Sequence, residues 1–148
     1  DNQKLIAPIR NVGCLYLSML RMVELETGHV FSEDEVNEIW LAAKELGYID
    51  EKNCMKLPDE LMVYVKGKYK FKKTIATIGI EKEGQTTFWQ WTRGKYTQAS
   101  YKLEKVETYG KIGTHFRLCN TKNEVIFDSY PTVYKHKRIN EYRLFIVL

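Results

Sequence analysis

Gly67 divides two textures, and that division constrains the fold more than any other feature of the chain. Before it, apolar residues recur three and four apart, the period of helices with one buried face. After it, they come in short runs rich in β-branched and aromatic side chains, separated by turn residues. Helices first and strands second do not make an alternating parallel fold. They predict the α+β class, with N-terminal helices packed on a mainly antiparallel C-terminal sheet.

The helical part is explicit. Over residues 14–27, Leu15, Tyr16, Met19, Leu20 and Val23 mark a largely buried helix, entered from a loop at Gly13 and closed by Gly28. Ser32 then opens Ser-Glu-Asp-Glu, a capping box with Glu35, and Val36, Ile39, Trp40, Ala43 and Leu46 form one face before Gly47. Pro58, Asp59 and Glu60 suit the first turn of a short third helix running to about Val65. Strands are expected over 69–72, 74–80, 86–92, 113–119, 124–128 and 142–147, with turns at Glu83-Gly84, Arg93-Gly94 and 120–123.

Composition narrows the class. At 148 residues with 44% hydrophobic and 28% charged content, the chain can close one core, and a single domain over 1–148 is expected. The longest charge-free stretch, residues 11–20, is far below the roughly 18 to 20 apolar residues that span a bilayer, so no membrane span is expected. No charged segment precedes an apolar one at the start, so the residues shown carry no secretory signal, and a cytoplasmic location or release on lysis is expected. Cys14, Cys54 and Cys119 are odd in number and lack CxxC spacing, which argues against a disulfide scaffold and a thiolate zinc site. A single bridge with one free thiol stays an alternative. No metal and no cofactor is expected.

The net charge of +4 is unevenly spread. Residues 1–61 carry 6 Lys/Arg against 12 Asp/Glu, residues 62–111 carry 11 against 4, and residues 112–148 carry 6 against 3. This division suits a polyanion-binding surface or, more simply, two layers that attract each other.

Two features could carry chemistry. Cys14 follows Gly13 at the start of a buried helix, where unpaired N–H groups and the dipole favour the thiolate. A small buried hydrophobe is the alternative reading of that thiol. In the second half, either a two-residue turn at Thr121-Lys122 or a four-residue loop over 120–123 sets His115 opposite Asp128 on adjacent strands. Opposed side chains have Cβ atoms roughly 4.5 to 5.5 Å apart. Such a carboxylate would take the Nδ1 proton, fix the tautomer and leave Nε2 to act on a nucleophile. A strand histidine merely satisfied by a neighbouring acid is the competing reading.

The order Cys, His, Asp resembles the papain-like cysteine peptidase superfamily. In compactness the chain is similar to the double-glycine leader peptidase branch and its uncharacterised bacterial and phage relatives. Ile9-Arg10-Asn11-Val12-Gly13-Cys14, Thr114-His115-Phe116 and Val125-Ile126-Phe127-Asp128-Ser129-Tyr130-Pro131 carry the resemblance, which covers nearly the whole chain in element order but only these segments in motif. It implies a papain-like domain with Cys14 as nucleophile, His115 as general base and acid, and Asp128 as the orienting residue. The implied activity is cofactor-free hydrolysis of an amide or peptide bond, in protein or in cell-wall peptide as in a peptidoglycan hydrolase. Papain-like enzymes usually place a glutamine shortly before the cysteine, where this chain has Pro8 and Ile9. Asn11 and Gln3 are the nearest amides and the candidate oxyanion donors. Trp89 and Trp91 are candidates for lining a substrate groove.

A different class of function is the alternative. Lys66, Lys68, Lys70, Lys72 and Lys73 interleave with Tyr64, Tyr69 and Phe71, a pattern by which a non-enzymatic binding module could engage nucleic acid or another polyanion. An edge strand with its lysines outward is the simpler reading, which makes nucleic acid an unfavoured partner. His29 and His136 are expected on the solvated surface, Asn120, Asn123 and Glu124 in turn roles, and Cys119 in the core or a pocket wall. A metal site of Cys14, Cys119 and His115 lacks spacing support, and oligomeric state is left open.

Overall fold

In a computed structural model, residues 5–81, 89–92, 95–108, 114–129 and 136–148 are described, with backbone alone at 10–12, 81, 89–92, 95–98, 108, 114 and 136–140. The chain divides into two compact units, Asp1–Ala76 with Leu148, and Thr77–Val147.

The first unit is helical: α1 Ala7–Val12, α2 Cys14–Thr27, α3 Glu33–Glu45 and α4 Pro58–Tyr69. The stop and start signals act as their chemistry requires. Gly28 ends α2 in the left-handed conformation, φ 77°, and donates to the Glu24 carbonyl at 2.9 Å. Ser32 and Glu35 form both halves of the capping box. The buried faces then meet: Tyr16 of α2 packs edge-on to Trp40 of α3, ring centroids 5.1 Å apart, and its hydroxyl donates to the Val36 carbonyl at 2.6 Å. Burial pushes the Tyr16 hydroxyl well above its ordinary pKa. Ile9, Met19, Met22, Ile39, Leu61 and Met62 complete the interior of this unit.

Three local expectations are corrected here. The segment before Cys14 is the short helix α1, with Pro8 in its first turn, where a missing N–H costs nothing. Helix α4 runs a turn further than expected and absorbs the start of the strand expected over 69–72. Leu61, Val65 and Tyr69 continue one face at a spacing of four, and Lys70 closes the helix in the left-handed region at φ 57°. The lysine-rich segment is therefore a helix end, not an edge strand. His29, expected on the open surface, is half-buried among Phe31, Tyr69 and Phe71, with ring centroids 4.8, 5.0 and 5.5 Å away. Its Nε2 lies 3.3 Å from both Glu35 carboxylate oxygens.

The second unit holds the strands β1 Ile75–Glu81, β2 Trp89–Thr92, β3 Lys95–Gln98, β4 Tyr101–Thr108, β5 Thr114–Cys119, β6 Val125–Phe127 and β7 His136–Val147, β1 beginning at the end of the helical unit. Five form a sheet in the order β1-β7-β4-β5-β6, and β2 pairs with β3. The pairs β2–β3, β4–β5, β4–β7 and β5–β6 are all antiparallel, so the chain is α+β with a mostly antiparallel sheet. Leu103, Val106, Leu118, Leu144 and Phe145 are buried along it. Strands β3 and β4 were not among the expected runs. In β4, Lys102 and Glu104 sit where a buried strand normally shows apolar residues, and both are fully buried.

Candidate functional site

Cys14 is the first residue of α2, and the way the chain turns there is set by Gly13. That glycine ends α1 and caps α2 at φ −86°, ψ 15°, and its N–H donates to the Ile9 carbonyl at 2.9 Å. A Cβ at this position would stand 2.4 Å from the Ile9 oxygen, so the tight return of residue 13 onto Ile9 at the joint of α1 and α2 requires a residue with no side chain. No acidic residue lies in the first turn of α2, and the half-buried Cys14 thiol occupies the positive end of its dipole without a competing carboxylate from that turn. Cys54 is exposed and Cys119 buried.

In the sheet unit, His115 and Asp128 meet. Nε2 of His115 and Oδ1 of Asp128 are 2.6 Å apart, and the two side chains are only 5% and 9% exposed. A hydrogen bond withdrawn from water to that degree is short and strongly orienting. The route to this contact differs from the expected one. Leu118 pairs with Phe127 and Cys119 with Val125, so the register shifts between them instead of running evenly from the turn. Continued along the strands, that register sets Asp128 level with Arg117, two residues from His115, and the bond is made diagonally. The carboxylate also holds Nε2, where Nδ1 was expected. An Nε2–H donated to Asp128 would make Nδ1 the nitrogen to act on a nucleophile, the reverse of the expected roles.

The turn joining β5 to β6 is built by its asparagines. Asn120 Oδ1 accepts from Lys122 N–H at 2.9 Å and Glu124 N–H at 3.0 Å, and Asn123 takes the left-handed conformation at φ 65°. Asn123 also accepts from Lys102 Nζ at 3.0 Å, a role its turn chemistry did not announce.

A model of one family, described as a protein of unknown function, DUF261, matches residues 1–146. The chain belongs to the DUF261 family. No curated protein and no solved structure matches it.

Around the His115–Asp128 pair, this DUF261 member carries polar groups that the sequence did not single out. His115, Arg117 and Cys119 share one face of β5, opposite Val106, Glu104 and Lys102 of β4. Glu104 accepts from Arg117 Nη2 and from the Tyr142 hydroxyl, the latter at 3.3 Å, and Lys102 Nζ lies 5.1 Å from the centre of the Tyr142 ring. Charged residues alternating with Leu103 and Val106 between two turns were the only signal, and they read as surface because their partners lie on other strands. Cys119 is packed with Ala99, Tyr142 and Leu144 in the core.

Gln3 lies outside the described residues. Asn11 is in α1, and Trp89 and Trp91 are in β2, but their side chains lie outside the described residues. Of the five lysines of the alternative polyanion surface, Lys68 pairs with Glu38 at 3.8 Å and Lys73 with Glu26 at 3.6 Å. Among the described residues, no group of three or more His, Cys, Asp and Glu side chains is placed to hold a metal ion. No described helix is long and apolar enough to cross a membrane.

Proposed function

We propose that the chain is a papain-like cysteine hydrolase that cleaves an amide or peptide bond, in protein or in cell-wall peptide. The observation that carries this reading is the buried His115–Asp128 hydrogen bond of 2.6 Å, which orients an imidazole as a general base requires. The acid-free start of α2 at Cys14 supports it. In the proposed cycle the Cys14 thiolate attacks the substrate carbonyl carbon and the carbonyl π electrons move onto oxygen. Imidazolium His115 then protonates the departing amine, leaving a thioester. Water deprotonated by the same imidazole attacks the thioester, releases the acid and returns the thiolate. Asp128 keeps Nε2 occupied throughout, so proton traffic passes through Nδ1.

Alkylation kinetics test this reading. Lowering a thiol pKa by about two units raises its thiolate fraction at pH 6 about 100-fold and lowers each thiolate's nucleophilicity about tenfold, a net gain of about tenfold. Cys14 is therefore expected to react with iodoacetamide about ten times faster than exposed Cys54 at pH 6. The rate at Cys14 should fall in the order wild type, Asp128→Ala, His115→Ala. A Cys14 that reacts no faster in wild type than in His115→Ala refutes the assignment.

A further inference from the structure

A second site stands in the helical unit, built where α3 hands over to α4. Gly47 turns the chain in the left-handed conformation, φ 81°, and the Tyr48 N–H returns to the Ala43 carbonyl at 2.8 Å. The Tyr48 carbonyl accepts from Lys56 N–H at 2.8 Å and Leu57 N–H at 3.1 Å, which fixes Tyr48 beside the first turn of α4. There Tyr48, Asp59, Glu60, Val63 and Tyr64 line a cavity of about 310 Å³.

The walls have a consistent chemistry. The Tyr48 and Tyr64 rings have centroids 6.5 Å apart and planes inclined at 62°, which makes an aromatic corner. A cation can sit about 5 Å from both centroids at once, inside the roughly 6 Å over which a ring face attracts positive charge. Val63, 62% exposed, adds an apolar wall, and Asp59 and Glu60 add negative charge from the first turn of α4. A primary ammonium is strongly hydrated and needs three hydrogen-bond acceptors, so it loses much by entering walls that are mostly ring and methyl. A quaternary, fully methylated ammonium has no N–H donors, packs its methyl groups on the rings and Val63, and still feels the carboxylates. The volume, at the low end for small-molecule pockets, suits a head group more than a large cofactor.

We propose that this cavity binds a small molecule through a quaternary (trimethylated) ammonium head group. The proposal is independent of the hydrolase reading, since it involves none of Cys14, His115 or Asp128. The test is NMR titration of the full chain with choline, with its uncharged carbon isostere 3,3-dimethyl-1-butanol, and with n-butylamine, following the Tyr48 and Tyr64 ring signals. Choline is expected to bind in the millimolar range, about tenfold tighter than the isostere. Glu60→Gln, at an exposed position that leaves the fold intact, should weaken choline about threefold and leave the isostere unchanged. Tyr64→Leu should remove most of the preference for choline. Equal binding of choline and the isostere, or no ring shift up to about 50 mM choline, overturns the site. Tighter binding of n-butylamine than of choline overturns the preference for a methylated group.

Discussion

Replacing Gly13 by alanine tests the joint that positions Cys14. The added Cβ would lie 2.4, 2.9 and 3.0 Å from the carbonyl oxygen, Cα and carbonyl carbon of Ile9, all backbone atoms, so no side-chain rotation relieves the contact. Residue 13 has φ −86°, which alanine adopts freely, so the cost comes from the approach and not from handedness. Overpacking of this kind costs about 1 to 3 kcal/mol. Moving residue 13 away from Ile9 also stretches the 2.9 Å bond from Gly13 N–H to the Ile9 carbonyl, a further loss of about 0.5 to 1.5 kcal/mol. The expected destabilisation is therefore about 2 to 4 kcal/mol, read as a lowered urea midpoint with an unchanged slope in far-ultraviolet circular dichroism. Gly67→Ala is the control. It sits inside α4 with open space around its Cβ position, and should gain about 0.5 to 1 kcal/mol from helix propensity. A Gly13→Ala variant within about 0.5 kcal/mol of wild type would show that the α1–α2 joint yields without cost, and the reasoning about Cys14 placement would fail with it.

Two further outcomes follow from the described contacts. Glu104→Ala leaves the Arg117 guanidinium without its carboxylate partner in a largely buried site and should cost about 3 to 5 kcal/mol in chemical denaturation; replacing Glu104 by leucine and Arg117 by methionine together should recover most of that loss, and a double variant as unstable as the single one would contradict this account. The Glu35 carboxyl is held below its usual range chiefly by the Ser32 N–H, with help from the Tyr69 hydroxyl and His29, so its contribution to stability is present above the unfolded-state value of about 4.3 and is lost as pH falls through the lower folded-state value. Urea midpoints measured between pH 3 and 6 should therefore be less acid-sensitive in Glu35→Gln than in wild type, and parallel profiles would refute the assignment.

What could be read from the sequence was local, and what could not was set by partners distant along the chain. Ser32 with Glu35, and Gly28 after an apolar face, announce a helix start and a helix stop because each acts within one turn. The approach of His115 to Asp128 was also legible, since only a short turn intervenes, but a one-residue bulge altered the register that joins them. Strand β4 was invisible for a different reason. Lys102 and Glu104 look like surface residues until Asn123, Arg117 and Tyr142 arrive from other parts of the chain to accept or share their charge. Helix α4 misled because Tyr69 and Phe71 alternate with lysines at the period of a strand, while Leu61, Val65 and Tyr69 hold the helical period over a longer span.

Strand β7 lies between β1 and β4 although it is the last strand in the chain. A ribosome therefore delivers β1 well before its neighbour, and at 5 to 20 residues per second the stretch from Glu81 to His136 takes roughly 3 to 11 s. Throughout that interval β1 has no β7 to pair with, and Glu104 lacks the Tyr142 hydroxyl that shares in its burial. The helix contacts described above, Ser32 with Glu35 and Tyr16 with Trp40, join residues made within the first half of synthesis. Those helix contacts can therefore form seconds before β1 meets β7, and the open edges of the interval are where a chaperone would find its substrate.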